Sequence, residues 1–205
     1  MNRILVSSVV IAAGALSANA ALLAPGGTQF PVSTVPVANG FNILANGVSP
    51  MTAATFTGNV YWVVWNNDAN NPFGLTGVNF AYVVANDSTS PNSIGRFEVN
   101  GFGSSQTDVG YYNGTGTAVP SIADRDSTPF GVIGFTFASF LTGMIAPGVA
   151  SEELVVRTDS TSWTFGDAAI IDGSIANVPV PAIIPAPGVA GIAGLGLLAA
   201  GRRRR

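Results

Sequence analysis

Short apolar runs separated by clusters of Gly, Asn, Asp, Ser and Pro are the feature that most constrains the fold of this 205-residue chain. Many of the runs are rich in Val, Phe and Trp, and several alternate apolar with polar residues. Such runs are typical of β-strands, and the clusters between them are typical of turns. Lys is absent and Glu, Gln and Met are scarce, so few segments favour a helix. The pattern predicts an all-β domain.

The sequence predicts roughly eight or nine strands, with turns about every ten to fifteen residues. Residues 59–65 are apolar on both faces, which indicates a central strand, whereas residues 96–102 alternate as in a sheet with one solvated face. The other predicted strands cover residues 40–44, 54–60, 78–85, 131–137, 154–157, 162–165 and 168–172. An antiparallel two-sheet sandwich of Greek-key or jelly-roll type accommodates these strands.

The N-terminus has the anatomy of a secretory signal peptide. Arg3 precedes an apolar run over residues 4–16, and the small residues Ala18 and Ala20 follow it. We predict a signal peptide at residues 1–20, cut between Ala20 and Ala21. The alternative is a retained N-terminal anchor, for which the apolar run is short, because a span needs about 20 residues.

The last 28 residues, VPVPAIIPAPGVAGIAGLGLLAAGRRRR, combine spaced prolines, a short apolar run and four terminal arginines. As a helix, residues 188–201 would span about 21 Å, which is short of a hydrocarbon core of about 30 Å. The cluster Arg202, Arg203, Arg204 and Arg205 resists translocation and would hold this end on the cytoplasmic side. We predict a proline-rich hinge at residues 178–187 and a C-terminal transmembrane sorting helix at residues 188–205.

This order of proline motif, apolar helix and arginine cluster resembles the PEP-CTERM sorting tail of exported bacterial proteins. The resemblance implies recognition by an exosortase-type membrane enzyme, transient residence in the inner membrane, tail removal, and delivery to the cell surface or extracellular matrix. Pro179-Val180-Pro181 and Pro185-Ala186-Pro187 stand where the family has Pro-Glu-Pro. We prefer the second tripeptide because it continues through Gly188 directly into the apolar run; the first remains an alternative. A plain tail anchor that is never cut is the other interpretation of the segment.

The predicted body, residues 21–177, is acidic and lacks His, Lys and Cys. It keeps three arginines, Arg96, Arg125 and Arg157, against 11 acidic residues, which gives a net charge of −8. This balance disfavours nucleic-acid binding, because nothing offsets the phosphate charge. The missing residue types exclude Ser-His-Asp and Cys-His nucleophiles, Schiff-base lysines and zinc sites built from His or Cys. We therefore predict no catalytic residue, no bound cofactor and a body that is not an enzyme.

A few acidic residues are candidates for a metal site or for acid chemistry. Asp124 and Asp126 form an Asp-x-Asp pair that suits calcium, although a solvated loop with a local ion pair is the favoured interpretation. The oxygen-rich loop at residues 66–71 departs from the EF-hand pattern and is interpreted as a turn. Glu152 and Glu153 are adjacent, so a strand would point them to opposite faces, whereas glycoside hydrolysis needs two facing carboxyl groups.

The aromatic residues raise the question of sugar binding. The candidates for an aromatic platform are Tyr61, Trp62, Trp65, Tyr111, Tyr112 and Trp163. Most lie in apolar runs, where a core position is favoured. Tyr111 and Tyr112 have polar and glycine neighbours and are the least core-like, so they are the preferred sugar-binding pair.

The sequence therefore favours an exported structural or adhesive module of the cell surface or matrix. The alternative is a carbohydrate- or polymer-binding module of the envelope, with an extracellular polysaccharide as its partner. An acid-catalysed hydrolase is a third hypothesis, and the sequence offers it no good pair of carboxylates.

Overall fold

The described part of the chain is built from β-strands that form two facing sheets. The computed structural model describes residues 22–34, 40–114, 116–137 and 143–183. Twelve strands lie in these ranges, six in each sheet. The prediction of an all-β, mostly antiparallel two-sheet sandwich is confirmed. The predicted signal peptide and sorting helix fall outside the described ranges.

The first sheet contains the strands β1 (Thr28–Gln29), β6 (Arg96–Val99), β8 (Ile122–Arg125), β9 (Ile133–Thr136), β11 (Trp163–Asp172) and β12 (Ser174–Ile183). They lie in the order β1-β8-β9-β6-β11-β12, and each neighbouring pair is antiparallel. The hairpin of β11 and β12 turns at Gly173, whose φ of 63° lies in the left-handed region that favours glycine. β12 is an edge strand of this sheet.

The second sheet contains the strands β2 (Val32–Thr34), β3 (Asn42–Thr52), β4 (Thr57–Asn66), β5 (Asn79–Asn86), β7 (Thr107–Tyr112) and β10 (Glu153–Thr158). Their order is β2-β7-β10-β5-β4-β3. β2 pairs with β7 in parallel, and the other pairs are antiparallel. The strands β5 and β10 lie in the middle, and most of their residues are buried.

One hydrophobic core fills the space between the two sheets. The second sheet contributes Phe80 and Tyr82, and the first contributes Phe97 and Phe135, all fully buried. Tyr82 and Phe97 meet across the interface with ring centroids 5.3 Å apart. Burying one such side chain contributes roughly 1.5–3 kcal/mol, so the core supplies the stability that a chain without disulfides needs.

Five of the predicted strands are confirmed, and their bounds shift by a few residues. The predictions at 59–65, 78–85, 96–102, 131–137 and 154–157 correspond to β4, β5, β6, β9 and β10. The prediction at 40–44 covers only the beginning of the 11-residue β3.

Other strand predictions were wrong. Residues 162–165 and 168–172 belong to the single strand β11, because Gly166 and Asp167 pair with β12 and make no turn. Residues 54–60 are not one strand, since a turn closed by the 2.9 Å bond from the Ala53 N–H to the Phe56 carbonyl precedes β4. The strands β1, β2, β7, β8 and β12 were not predicted from the sequence.

Candidate functional site

The segment predicted to be a proline-rich hinge begins inside a strand. β12 runs over Ser174–Ile183, so residues 178–183 of the predicted hinge belong to the sandwich. Val178, Val180 and Ala182 lie in the core and are at most 3% exposed. The strand therefore passes the predicted boundary at residue 177, and the folded body extends at least to Ile183.

Pro179 and Pro181 fit into β12 because this strand lies at an edge of its sheet. Residues two apart present the same side of a strand. An edge strand has one side without a strand partner, and a missing backbone N–H costs little on that side. Prolines there also hinder pairing with a strand of another molecule. The alternation of Val and Pro was therefore a strand signal, which the analysis had interpreted as a hinge.

Both proline carbonyl groups of β12 are bonded to the second sheet. The Ser49 hydroxyl donates to the Pro179 carbonyl at 2.5 Å, and the Trp62 indole N–H donates to Ser49 Oγ at 3.2 Å. The Tyr82 hydroxyl donates to the Pro181 carbonyl at 2.5 Å. Burial raises the pKa of Tyr82 well above its ordinary value, so this hydroxyl stays protonated. These bonds fasten the last described strand to the rest of the sandwich.

Several predicted site residues lie outside the described ranges. They are the signal-cleavage pair Ala20 and Ala21, the motif Pro185, Ala186, Pro187 and Gly188, and the cluster Arg202, Arg203, Arg204 and Arg205. Within the described residues, no helix is long and apolar enough to cross a membrane.

Asp124 and Asp126, the candidate calcium ligands, each serve a local structural role. Both carboxylate oxygens of Asp124 accept hydrogen bonds of 2.7 Å from the Arg96 guanidinium. Asp126 accepts bonds from the Thr128 hydroxyl at 2.5 Å and from the Val132 N–H at 2.8 Å, which closes the turn after β8. Across the described ranges, no three His, Cys, Asp or Glu residues gather as a metal site. The calcium site stays a prediction.

Tyr111 and Tyr112, the preferred sugar-binding pair, point to opposite faces of β7. Tyr112 is 6% exposed, and its hydroxyl accepts a 3.2 Å bond from Arg157 Nη2. Tyr111 is half-buried and pairs with Leu154 of β10. Because adjacent strand residues face opposite ways, the two rings cannot form one platform.

The outer face of the second sheet carries a shallow depression instead. Its volume is about 190 Å³, and its lining includes Tyr61, Val63, Val83 and Glu153. The Tyr61 side chain is 49% exposed at the rim. Burial raises the pKa of the Glu153 carboxyl. The depression therefore has an exposed aromatic ring on β4 and a carboxyl group on β10, with the apolar residues of β5 between them. This arrangement was not predicted from the sequence.

A buried ionic cluster lies beneath the loop between β4 and β5. Arg157 Nε is 3.3 Å from a carboxylate oxygen of Asp68, and Nη1 is 3.3 Å from one of Asp108. The three side chains are at most 2% exposed. The Arg157 guanidinium also lies 5.9 Å from the centre of the Tyr112 ring. One cation thus faces two carboxylates, which leaves one negative charge in excess.

Asp108 is the less well paired of the two acids. Its Oδ1 is buried without a hydrogen-bond partner. Burial raises its pKa to about 6, and the neighbouring Arg157 only partly opposes this shift. Nothing local in the sequence marks the cluster, because Asp68 and Asp108 lie 89 and 49 residues from Arg157. Its position indicates that it holds the loop after β4 against the sheet.

These features divide the candidate residues into buried and accessible ones. The ionic cluster, Tyr112 and the proline carbonyls of β12 are structural, whereas the Tyr61 depression is open to solvent. Comparisons with protein-family models, with curated proteins and with solved structures find no match to this chain.

Proposed function

We propose that this chain is an exported bacterial protein, retained at the inner membrane by its C-terminal segment and then delivered to the cell surface or extracellular matrix. The observation that carries the proposal is the position of the preferred sorting motif directly after the last described strand. β12, the last described strand, ends at Ile183, and the preferred sorting motif begins at Pro185. The sorting pattern therefore follows directly on the last described residue of the core.

The two proline tripeptides differ in what a processing enzyme could reach. Pro179-Val180-Pro181 lies within β12, with Val180 in the core and both proline carbonyls bonded. An enzyme could bind it in extended form only after β12 had left the sheet. This supports Pro185-Ala186-Pro187 as the tripeptide that an exosortase-type enzyme recognises.

The body is proposed to be a structural or adhesive module without catalytic activity. A sandwich stabilised by its core, in a chain without His, Lys or Cys, fits that role. The Greek-key or jelly-roll subtype belongs to the same proposal, and the repeated crossing of the chain between the two sheets from β5 to β11 supports it.

Two pairs of proline substitutions test the sorting proposal. The double variant Pro185→Ala with Pro187→Ala should remain in the membrane with its tail attached. The matched double variant Pro179→Ala with Pro181→Ala should be cut at the wild-type position. Both outcomes are measured by fractionating the producing cells and determining the intact mass of the protein in each fraction. A block in the second variant but not the first would show that the wrong tripeptide was chosen.

The arginine cluster provides an independent test. Replacing all four terminal arginines with serine removes the charge that resists translocation. The uncut chain should then appear in the periplasm or medium, and the membrane-bound fraction should fall. Unchanged retention would contradict the proposed role of the arginines.

A second candidate function is carbohydrate binding at the Tyr61 depression. The half-exposed Tyr61 ring in the same depression as Glu153 favours it, because sugars stack on aromatic rings and donate hydrogen bonds to carboxylates. Binding to extracellular polysaccharide, measured by pull-down, should be lost in Tyr61→Ala and kept in Tyr111→Ala. Equal binding by both variants would remove this candidate.

A further inference from the structure

The two ends of the sandwich differ in their exposed apolar residues. We call the end where β12 stops the exit end. It comprises residues 22–27 and 40–41, the beginnings of β3 and β11, and the loops 67–78, 100–106, 126–132 and 159–162. Of the thirteen large hydrophobic residues exposed in the described ranges, seven lie there: Leu22, Phe41, Ile43, Leu44, Leu75, Phe130 and Phe165. The described part of the opposite end holds two, Met144 and Ile175.

Backbone contacts place two of these residues, Phe165 and Phe130, near the point where β12 ends. Trp163 pairs with Ile183, and the Phe165 ring lies 5.9 Å from the Trp163 ring. The Gly101 N–H donates to the Phe130 carbonyl at 2.9 Å. A Cβ at Gly101 would lie 3.5 Å from the Ile183 carbonyl, so the Phe130 loop borders the end of β12. Phe130, which is 74% exposed, therefore projects close to that point.

Other links bring the remaining loops to the same end. The Val78 N–H donates to the Ser160 carbonyl at 2.7 Å, which joins the loop after β4 to the loop before β11. The Asn67 N–H donates to the Leu75 carbonyl at 2.8 Å, and Asn67 also bonds the Gly40 carbonyl. The exposed apolar residues thus belong to one connected set of loops.

The exit end offers little positive charge to a partner. The arginines at this end, Arg125 and Arg157, are at most 3% exposed. Asp159 is exposed and Asp126 is partly exposed. A contact at this end would therefore be apolar, with no attraction to anionic groups.

We propose that the exit end lies against the lipid surface while the C-terminal segment is in the membrane. This inference rests on the proposed function. Five residue steps separate Ile183 from Gly188, where the apolar run begins. A fully extended chain covers at most about 18 Å over that distance. The exit end therefore cannot move far from a bilayer that holds the run.

Lipid fits this surface better than a second copy of the chain does. The apolar residues lie at the same end of the sandwich as the one point that the C-terminal segment ties to the membrane. Exposed Phe and Leu side chains on loops insert into the interface between headgroups and acyl chains, where Trp is also favoured. Trp163 lies at this point, half-buried beside Phe165.

The test uses the absence of cysteine from the chain. Full chains carrying Phe130→Cys or Ile175→Cys are labelled with an environment-sensitive fluorophore and reconstituted into phosphatidylcholine vesicles, with and without phosphatidylglycerol. Ile175 is the matched control, since it is 58% exposed near the opposite end. Both variants should keep the near-UV circular dichroism of the wild type.

We expect both variants to float with the vesicles. Only the fluorophore at position 130 should show a blue-shifted emission and quenching by nitroxide-bearing lipids. The shift should be the same with and without phosphatidylglycerol. Flotation without a shift at position 130 would overturn this inference and leave the sorting proposal intact. A chain that does not float would overturn both. A blue shift of the emission at position 130 that occurs without vesicles and grows with protein concentration would indicate that a second copy of the chain covers the exit end. That result would overturn the lipid contact.

Discussion

The Tyr82 hydroxyl donates a 2.5 Å hydrogen bond to the carbonyl of Pro181, across the core of the sandwich. Tyr82 lies in a central strand of the second sheet, and Pro181 lies in an edge strand of the first. The bond therefore joins the best-packed part of the body to the segment that leads toward the C-terminal tail. It makes the proline-containing strand part of the fold, and this distinguishes the two Pro-x-Pro tripeptides.

Removing that hydroxyl should destabilise the body. Tyr82→Phe leaves the Pro181 carbonyl without its buried donor, which should lower the free energy of unfolding by about 1–3 kcal/mol. Urea denaturation followed by fluorescence measures this loss. Tyr61→Phe, at a half-exposed position, is the control and should change stability by less than about 0.5 kcal/mol. Equal effects in the two variants would contradict the role of the bond.

The position of the C-terminal boundary can be tested by truncation. A chain ending at Asn177 loses the core residues Val178, Val180 and Ile183, each of which contributes roughly 1.5–3 kcal/mol. That sum approaches the whole stability of a typical domain, about 5–15 kcal/mol. We expect the chain ending at Asn177 to lack near-UV circular dichroism and the chain ending at Ile183 to unfold cooperatively. A cooperative transition in the shorter chain would show that β12 is dispensable.

The buried arginine should be essential for stability. Arg157→Met leaves the carboxylates of Asp68 and Asp108 buried without a cation, which should cost about 3–5 kcal/mol at pH 7. Arg96→Met removes two partly exposed ion pairs, with Asp124 and Glu98, and should cost less, about 1–2 kcal/mol. Denaturant midpoints of both variants against the wild type measure the difference. If the two variants lost similar amounts of unfolding free energy, the burial of the Arg157 cluster would make no difference to its contribution to stability.

Asp108 should make stability depend on pH between about 4 and 6. Folding raises its pKa from 3.8 to about 6, so the folded state binds the proton more tightly than the unfolded state does. The stabilisation from this group is complete below pH 3.8 and is lost as the pH rises through 6, by roughly 3 kcal/mol at about 1.4 kcal/mol per pKa unit.

The variant Asp108→Asn isolates this effect. Urea denaturation over a series of pH values should give a flatter stability profile between pH 4 and pH 6.5 than the wild type has. If stability changed with pH equally in the wild type and in the variant, that result would contradict the shifted pKa of Asp108.

Strands whose apolar residues recur at regular spacing could be predicted from the sequence, including β6 with its charged Arg96 and Glu98. β4 and β5 were predictable because their apolar residues continue on both faces. β8 was missed because Asp124 and Arg125 look like loop residues until their partners are known: Arg96 for the aspartate, and the Leu23 and Phe102 carbonyls for the arginine. β12 was missed because a proline was taken to end a strand, whereas at a sheet edge it is tolerated.

The candidate site was less predictable, because it depends on which strands become neighbours. Tyr61 and Glu153 line one depression because of the sheet order β4-β5-β10, which no local pattern encodes. Tyr112 has polar neighbours in the sequence, and only the fold shows that Arg157 covers it. The apolar exit end is assembled from loops spread between residues 22 and 165, so its common location also follows from the topology.

The most direct test of the account is the intact mass of the mature protein recovered from the envelope and the medium. The account expects a chain that begins at Ala21 and ends beyond Ile183, near Pro185 to Gly188. That product would show a removed signal peptide, a complete β12 and a tail cut at the second tripeptide. A product that ends within β12, or one held in the membrane that still ends at Arg205, would contradict it.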